Sequence, residues 1–145
     1  MRVPRKQVSA ALYTLLQGAY AWGLANPRLK LPQQVPANQQ PALFLVKPKE
    51  NISQNPARFL PTYNLQYYAL VIVRSDALPS DVLAESLMDD ILDSIEGALM
   101  PNPGEPQTLG GLVNNCWIEG DITIDTPVLF PQCAIWVPIT VKVGV

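Results

Sequence analysis

The chain has 145 residues, 48% of them hydrophobic and 15% charged, which excludes a disordered polymer and fits one domain with a sizeable core. There is no histidine and there are two cysteines, which excludes Ser–His and Cys–His nucleophilic sites and a usual zinc shell. The net charge of −2 hides a split: residues 1–74 carry nine Lys/Arg against one acid, Glu50, for +8, while residues 75–145 carry eleven acids against one lysine, for −10.

The first predicted element is a helix from about Val3 to Ala25, with Pro4 tolerated in its first turn and Asn26-Pro27 ending it. Arg2, Arg5 and Lys6 ahead of an apolar stretch, with Ala19-Tyr20-Ala21 behind, have the outline of a signal peptide. The stretch is amphipathic, however. Val8, Leu12, Leu15, Leu16, Ala19 and Trp22 share one face while Ser9, Thr14 and Gln17 interrupt the run, so it is read as a helix of the domain. No other segment offers ~18 continuous apolar residues, so no membrane span is expected.

Residues 26–41 are a proline- and glutamine-rich connector. Pro41 and Pro48 bracket a short predicted strand, Ala42 to Lys47, and residues 48–61 read as a long polar loop with prolines at 48, 56 and 61 and with Arg58 near its end. A strand follows from Thr62 to Arg74. Its first half alternates, while Ala69 to Val73 are apolar on both faces, as in a sheet centre. The clearest helix runs from Ser80 to about Leu99, its stripe formed by Ala84, Leu87, Met88, Ile91, Leu92, Ile95 and Leu99.

After a proline-rich loop and Gly110-Gly111, a strand is predicted from Leu112 to Ile124. Leu112, Cys116, Ile118, Ile122 and Ile124 share one face; Asn115, Trp117, Glu119, Asp121 and Thr123 share the other. The last strand runs from Gln132 to Val143, with odd-numbered residues inward and Gln132, Thr140 and Lys142 outward. Pro138 cannot donate to a ladder, which places this strand at an edge or puts a bulge there. Cys116 and Cys133 fall on inward positions and are expected as free thiols, with a disulfide as the alternative. The order predicts a single α+β domain over 1–145: a mostly antiparallel sheet of about four strands with two helices packed on one face. The sheet's other face, carrying Trp117 and Trp136, is too apolar to be wholly wet, and a partner subunit is expected over it.

Little here carries chemistry. No Walker loop or GxGxxG is present. Asp81, Glu85, Asp89 and Asp93 recur at i, i+4 on the second helix, with Asp90 and Glu96 alongside. Paired carboxylates suit divalent cations or acid–base work, whereas a solvated face opposite an apolar stripe has the same pattern. Each like-charge i, i+4 pair costs roughly 0.2–0.5 kcal/mol, and no lysine relieves it. A third reading therefore sets this stripe against basic residues of a neighbouring subunit, or along a channel that must not hold nucleic acid. Tyr63, Tyr67 and Tyr68 could stack on bases, but at strand spacing a core or interface role is the commoner one.

The C-terminal half resembles the tail terminator, or tail-completion (minor tail), proteins of long-tailed bacteriophages. The resembling stretches are Asp90-Ile91-Leu92-Asp93-Ser94-Ile95, Gln107 to Val113, Trp117-Ile118-Glu119-Gly120-Asp121-Ile122, and Gln132 to Ile139. The resemblance covers roughly residues 80–143 and rests on structural motifs. It implies an α+β virion protein, not an enzyme and without cofactor, that forms a homo-oligomeric ring, commonly a hexamer. Such a ring caps the tail tube and joins it to the head–neck connector, and DNA passes through without sequence-specific binding. Its place would be the virion, and the host cytoplasm during assembly. Asp81, Glu85, Asp89, Asp93, Arg58, Arg74, Trp117 and Trp136 are the candidate interface or lumen residues. Another neck or baseplate ring subunit, or a small-ligand or cation-binding domain using the acidic helix, is the alternative.

Overall fold

Val8, Leu12 and Leu16 stand at helical spacing, and in the computed structural model they are fully buried along helix α1, Arg5–Gln17. The structure describes residues 4–26, 41–55, 60–74, 84–125 and 132–144. The helix is shorter than the apolar pattern predicts. It stops at Gly18, after which the Ala19 N–H donates to Leu16 O at 3.1 Å in a tighter turn. The Trp22 indole N–H also donates to Leu16 O at 2.9 Å, so a residue expected on the helix face instead supplies a second donor to a carbonyl of the last helical turn. Leu24–Asn26 then form a short strand, β1, where helix and connector were expected.

The remaining elements are β2 Ala42–Asn55, β3 Leu60–Arg74, α2 Ala84–Leu99, β4 Asn115–Ile118, β5 Thr123–Asp125 and β6 Gln132–Gly144. They build a six-stranded mixed sheet in the order β1-β2-β3-β6-β4, with β5 also on β6. Only β1 on β2 is parallel. The fold is thus α+β as expected, with more strands than the four read from the sequence.

Residues 48–55 are strand and not the first part of a loop. Pro48 does not end β2 but sits in a bulge, where pairing passes from Val46–Tyr68 to Lys49–Gln66 and Lys47 and Pro48 both oppose Tyr67. A bulge absorbs a residue without an N–H, and the ladder then resumes to Asn55. Arg58 and residues 56–59, the rest of that expected loop, lie outside the described residues, as does most of the 26–41 connector.

Period-two alternation sorts β3 and β6 cleanly. Their odd-numbered residues join Leu43, the α1 stripe and Met88, Ile91, Ile95 and Leu99 of α2 in one core. Burying each large aliphatic side chain there contributes roughly 1.5–3 kcal/mol. On the opposite face a smaller cluster, Ala42, Phe44, Leu70, Ile72 and Ala134, gathers around the centre-strand segment that is apolar on both sides, with Trp136 packed on it.

The strand predicted over 112–124 is two strands, and Pro138 explains the break. β6 is not an edge: it lies between β3 and β4/β5. The Glu119 N–H donates to Pro138 O at 3.2 Å, so the side of Pro138 that lacks a donor faces this outer strand. The ladder lapses there. Gly120 turns through φ 109°, with the Pro138 ring 3.5 Å from where a Cβ would stand. The missing hydrogen bond has moved the irregularity from β6 onto its neighbour.

Candidate functional site

Charge separates onto the two flanks of the sheet. On the β2 flank, Glu50 is the only acid of the basic half, and it gathers two cations. Arg5 Nε donates to its Oε1 at 2.9 Å and its Oε2 at 3.0 Å, and Lys47 Nζ donates to Oε1 at 2.6 Å. The hydrogen bond from Lys47, which outweighs the opposing push of burial, and then that from Arg5 hold the Glu50 carboxyl below the usual range. The Arg5 guanidinium also lies 5.5 Å over the Tyr63 ring. Lys6 and Lys49 are exposed nearby in sequence. Among the described residues, β1 covers β2 only at Ala42–Phe44, so β2 is an open edge from Leu45 onward.

On the other flank, Asp89, Asp90, Asp93 and Glu96 are exposed on α2 and form no ion pair among the described residues. Asp89 and Asp93 stand on the solvent side opposite the Met88–Ile91–Ile95–Leu99 stripe, as the periodicity predicts. Glu119 and Asp121 add to this sign where the outer strand breaks. Glu85 lies in the first turn of α2, and Asp81 lies outside the described residues. Arg74 ends β3 opposite Gln132, so β3 does not bring it to the acidic helix by pairing. Among the described residues no three of His, Cys, Asp and Glu come together as metal ligands would.

Between the acidic residues lies a groove of about 320 Å³, lined by Glu96, Leu99, Met100, Trp117, Ile118 and Ile122. Met100 is 52% exposed and Ile122 40%, and Ile124 on β5 is also exposed. On the β2 flank the exposed apolar residue is Ile52, at 58%. The sequence hid these positions: Ile52 sits in a stretch that reads as polar loop, and Ile122 and Ile124 share the inward parity of the predicted strand, yet both are exposed, Ile124 on the core face opposite Ile135 at the outer side of the sheet.

Trp117 and Trp136 both lie on the sheet face away from the helices, as expected. Trp136 meets Tyr68 edge-on at 6.0 Å. Trp117 borders the apolar groove and also an open polar cleft of about 550 Å³ lined by Asn51, Asn64, Gln66, Thr140 and Lys142, among others. Thr140 and Gln66 also line a second cleft beside it. The tyrosines form no common platform, because alternation sends Tyr67 into the core, where its OH lies 2.7 Å from Ser9 Oγ, and Tyr68 to the opposite face.

Cys116 and Cys133 are free and buried. They face Val141 and Val73 across their respective pairings, at opposite ends of β6, far beyond the ~5.5 Å Cα spacing of a disulfide. Burial pushes the Cys116 thiol up to about 12 and raises Cys133 as well, so neither is a poised nucleophile. No helix among the described residues is long and apolar enough to cross a membrane. Compared with family models and with curated proteins, the chain matches none.

Proposed function

We propose that this chain is a structural subunit of a phage tail, a tail terminator that assembles into a ring, caps the tube and docks to the head–neck connector. One observation carries the reading: exposed acidic residues on α2 and between β4 and β5, with no ion pair among the described residues, flank one side of the sheet, and a basic cluster flanks the other. Unrelieved like charges on a helix face are a cost to the lone subunit. A neighbour that brings the opposite sign removes that cost and fixes the direction of assembly. The resemblance of residues 80–143 to tail terminators supplies the tube and the connector as partners, the virion as location, and a lumen through which DNA passes without base-specific contact.

Native mass spectrometry and negative-stain imaging of the purified chain, alone and with tail tubes, test this. The expected result is a closed ring, commonly of six, seated at tube ends. Asp89→Lys with Asp93→Lys weakens ring formation or capping while circular dichroism stays unchanged. A chain that stays monomeric at high concentration and ignores tube ends overturns the reading. Calcium-dependent stabilisation abolished by Asp89→Asn with Asp93→Asn would replace it with a cation-binding domain.

A further inference from the structure

We infer that the two open flanks are the two halves of one head-to-tail contact between copies of this chain, with Ile52 of one copy seated in the Met100–Trp117–Ile122 groove of the next. The exposed large hydrophobic side chains among the described residues are Ile52, Tyr68, Met100, Ile122 and Ile124. Tyr68 has its partner in Trp136. The other four fall on opposite edges of the sheet: one projecting side chain on β2, and, across the sheet, Met100 and Ile122 lining a groove beside β4, with Ile124 on β5.

The shapes differ in a useful way. Ile52 is a single branched side chain on an edge strand, paired to Tyr63 on one side and open on the other among the described residues. The groove, about 320 Å³, has walls from Leu99, Met100, Trp117 and Ile122 and admits such a side chain. An apolar projection and a complementary pocket elsewhere on the same surface generate a heterologous contact, which closes into a ring when the rotation between copies closes.

Charge selects a second copy as the occupant. Lys47 and Lys49 precede the projection on β2, Lys47 and Arg5 both pair with Glu50 two residues before it, and Lys6 is exposed beside Arg5 on α1. Glu96 lines the groove, and Glu119 and Asp121 immediately precede Ile122. Projection against groove brings opposite signs together, while projection against projection or groove against groove opposes like charges. The same pattern thus favours head-to-tail contact and suppresses the two symmetric ones.

This contact rests on the ring reading above only for its closure, and its test keeps the two apart. Sedimentation equilibrium of the full chain over a concentration series is run for wild type, Ile52→Asp and Ile122→Asp, with urea midpoints confirming that each variant is folded. The wild type associates, and each substitution raises the dissociation constant about tenfold or more, as loss of a central apolar anchor does. The decisive sample is the mixture. Ile52→Asp keeps its groove and Ile122→Asp keeps its projection, so together they form dimers and nothing larger. A mixture no more associated than its parts overturns the head-to-tail contact. Wild-type rings unaffected by either substitution overturn it and leave the ring reading standing, whereas a monomeric wild type overturns both. Lys49→Glu and Glu96→Lys each weaken association in the same direction; strengthening by either one also counts against the contact.

Discussion

Thr140 is the buried polar side chain of the described core, 8% exposed, and its hydroxyl has no hydrogen-bond partner among the described residues. It sits on β6 opposite Gln66 on one side and Trp117 on the other, bordering both polar clefts. A hydroxyl buried without a partner costs roughly 1–3 kcal/mol, and cleft water at its small exposed area offsets part of that. Thr140→Val keeps the β-branch that suits a strand and replaces the hydroxyl by a methyl group, which gains about 0.8 kcal/mol if buried. The expected outcome is stabilisation by about 0.5–1.5 kcal/mol, with the urea midpoint rising at constant slope and Tm up by about 2–5 °C. Destabilisation by more than about 0.5 kcal/mol would refute the reasoning, because the hydroxyl would then be making a bond that the structure does not contain.

Two further outcomes follow from titratable groups. Glu50 has its carboxyl lowered in the folded state, so its ion pairs stabilise above the unfolded value of about 4.3 and are lost as pH falls through the folded one. Glu50→Gln therefore costs up to about 1 kcal/mol at pH 7 and flattens the acid limb of the stability–pH curve; an unchanged acid limb shows that the pairs contribute nothing. Cys116, raised to about 12, adds stability that is complete below the unfolded thiol value of about 8.5 and is lost as pH rises toward 12. Both thiols should resist alkylation at pH 8 until urea unfolds the chain, and rapid labelling of the native protein at Cys116 would contradict its burial.

The most regular elements were legible because their periods are uninterrupted. β3, β6 and α2 carry clean alternation or a clean stripe, and the structure follows them nearly residue for residue. Proline misled in both directions. At Pro48 it reads as a strand end, yet a bulge accommodates it; at Pro138 it reads as an edge, yet the adjoining strand yields instead. Neither outcome is encoded locally, since each depends on which strand lies alongside. The end of α1 was misplaced for a similar reason: Trp22 fits the helical stripe equally well, and only the tertiary structure turns its indole back onto Leu16 O. Of the candidate site, the sign and position of the acidic stripe were readable at Asp89 and Asp93. The exposure of Ile52, Met100 and Ile122 was not, because an apolar residue announces its hydrophobicity and never its partner.

The thirteen-residue pairing of β3 with β6 also has a bearing on how the chain is made. β2 and β3 are joined by a short connection and can close as a hairpin as soon as they emerge. The second edge of β3, however, must wait through α2, β4 and β5 before Gln132–Gly144 arrive. During synthesis that edge, with the wholly apolar run Ala69–Val73, is a template for any extended chain nearby. Nascent chains arrested before Gln132 should thus be the aggregation-prone species, and a chaperone that shields this strand would raise the yield of folded subunit.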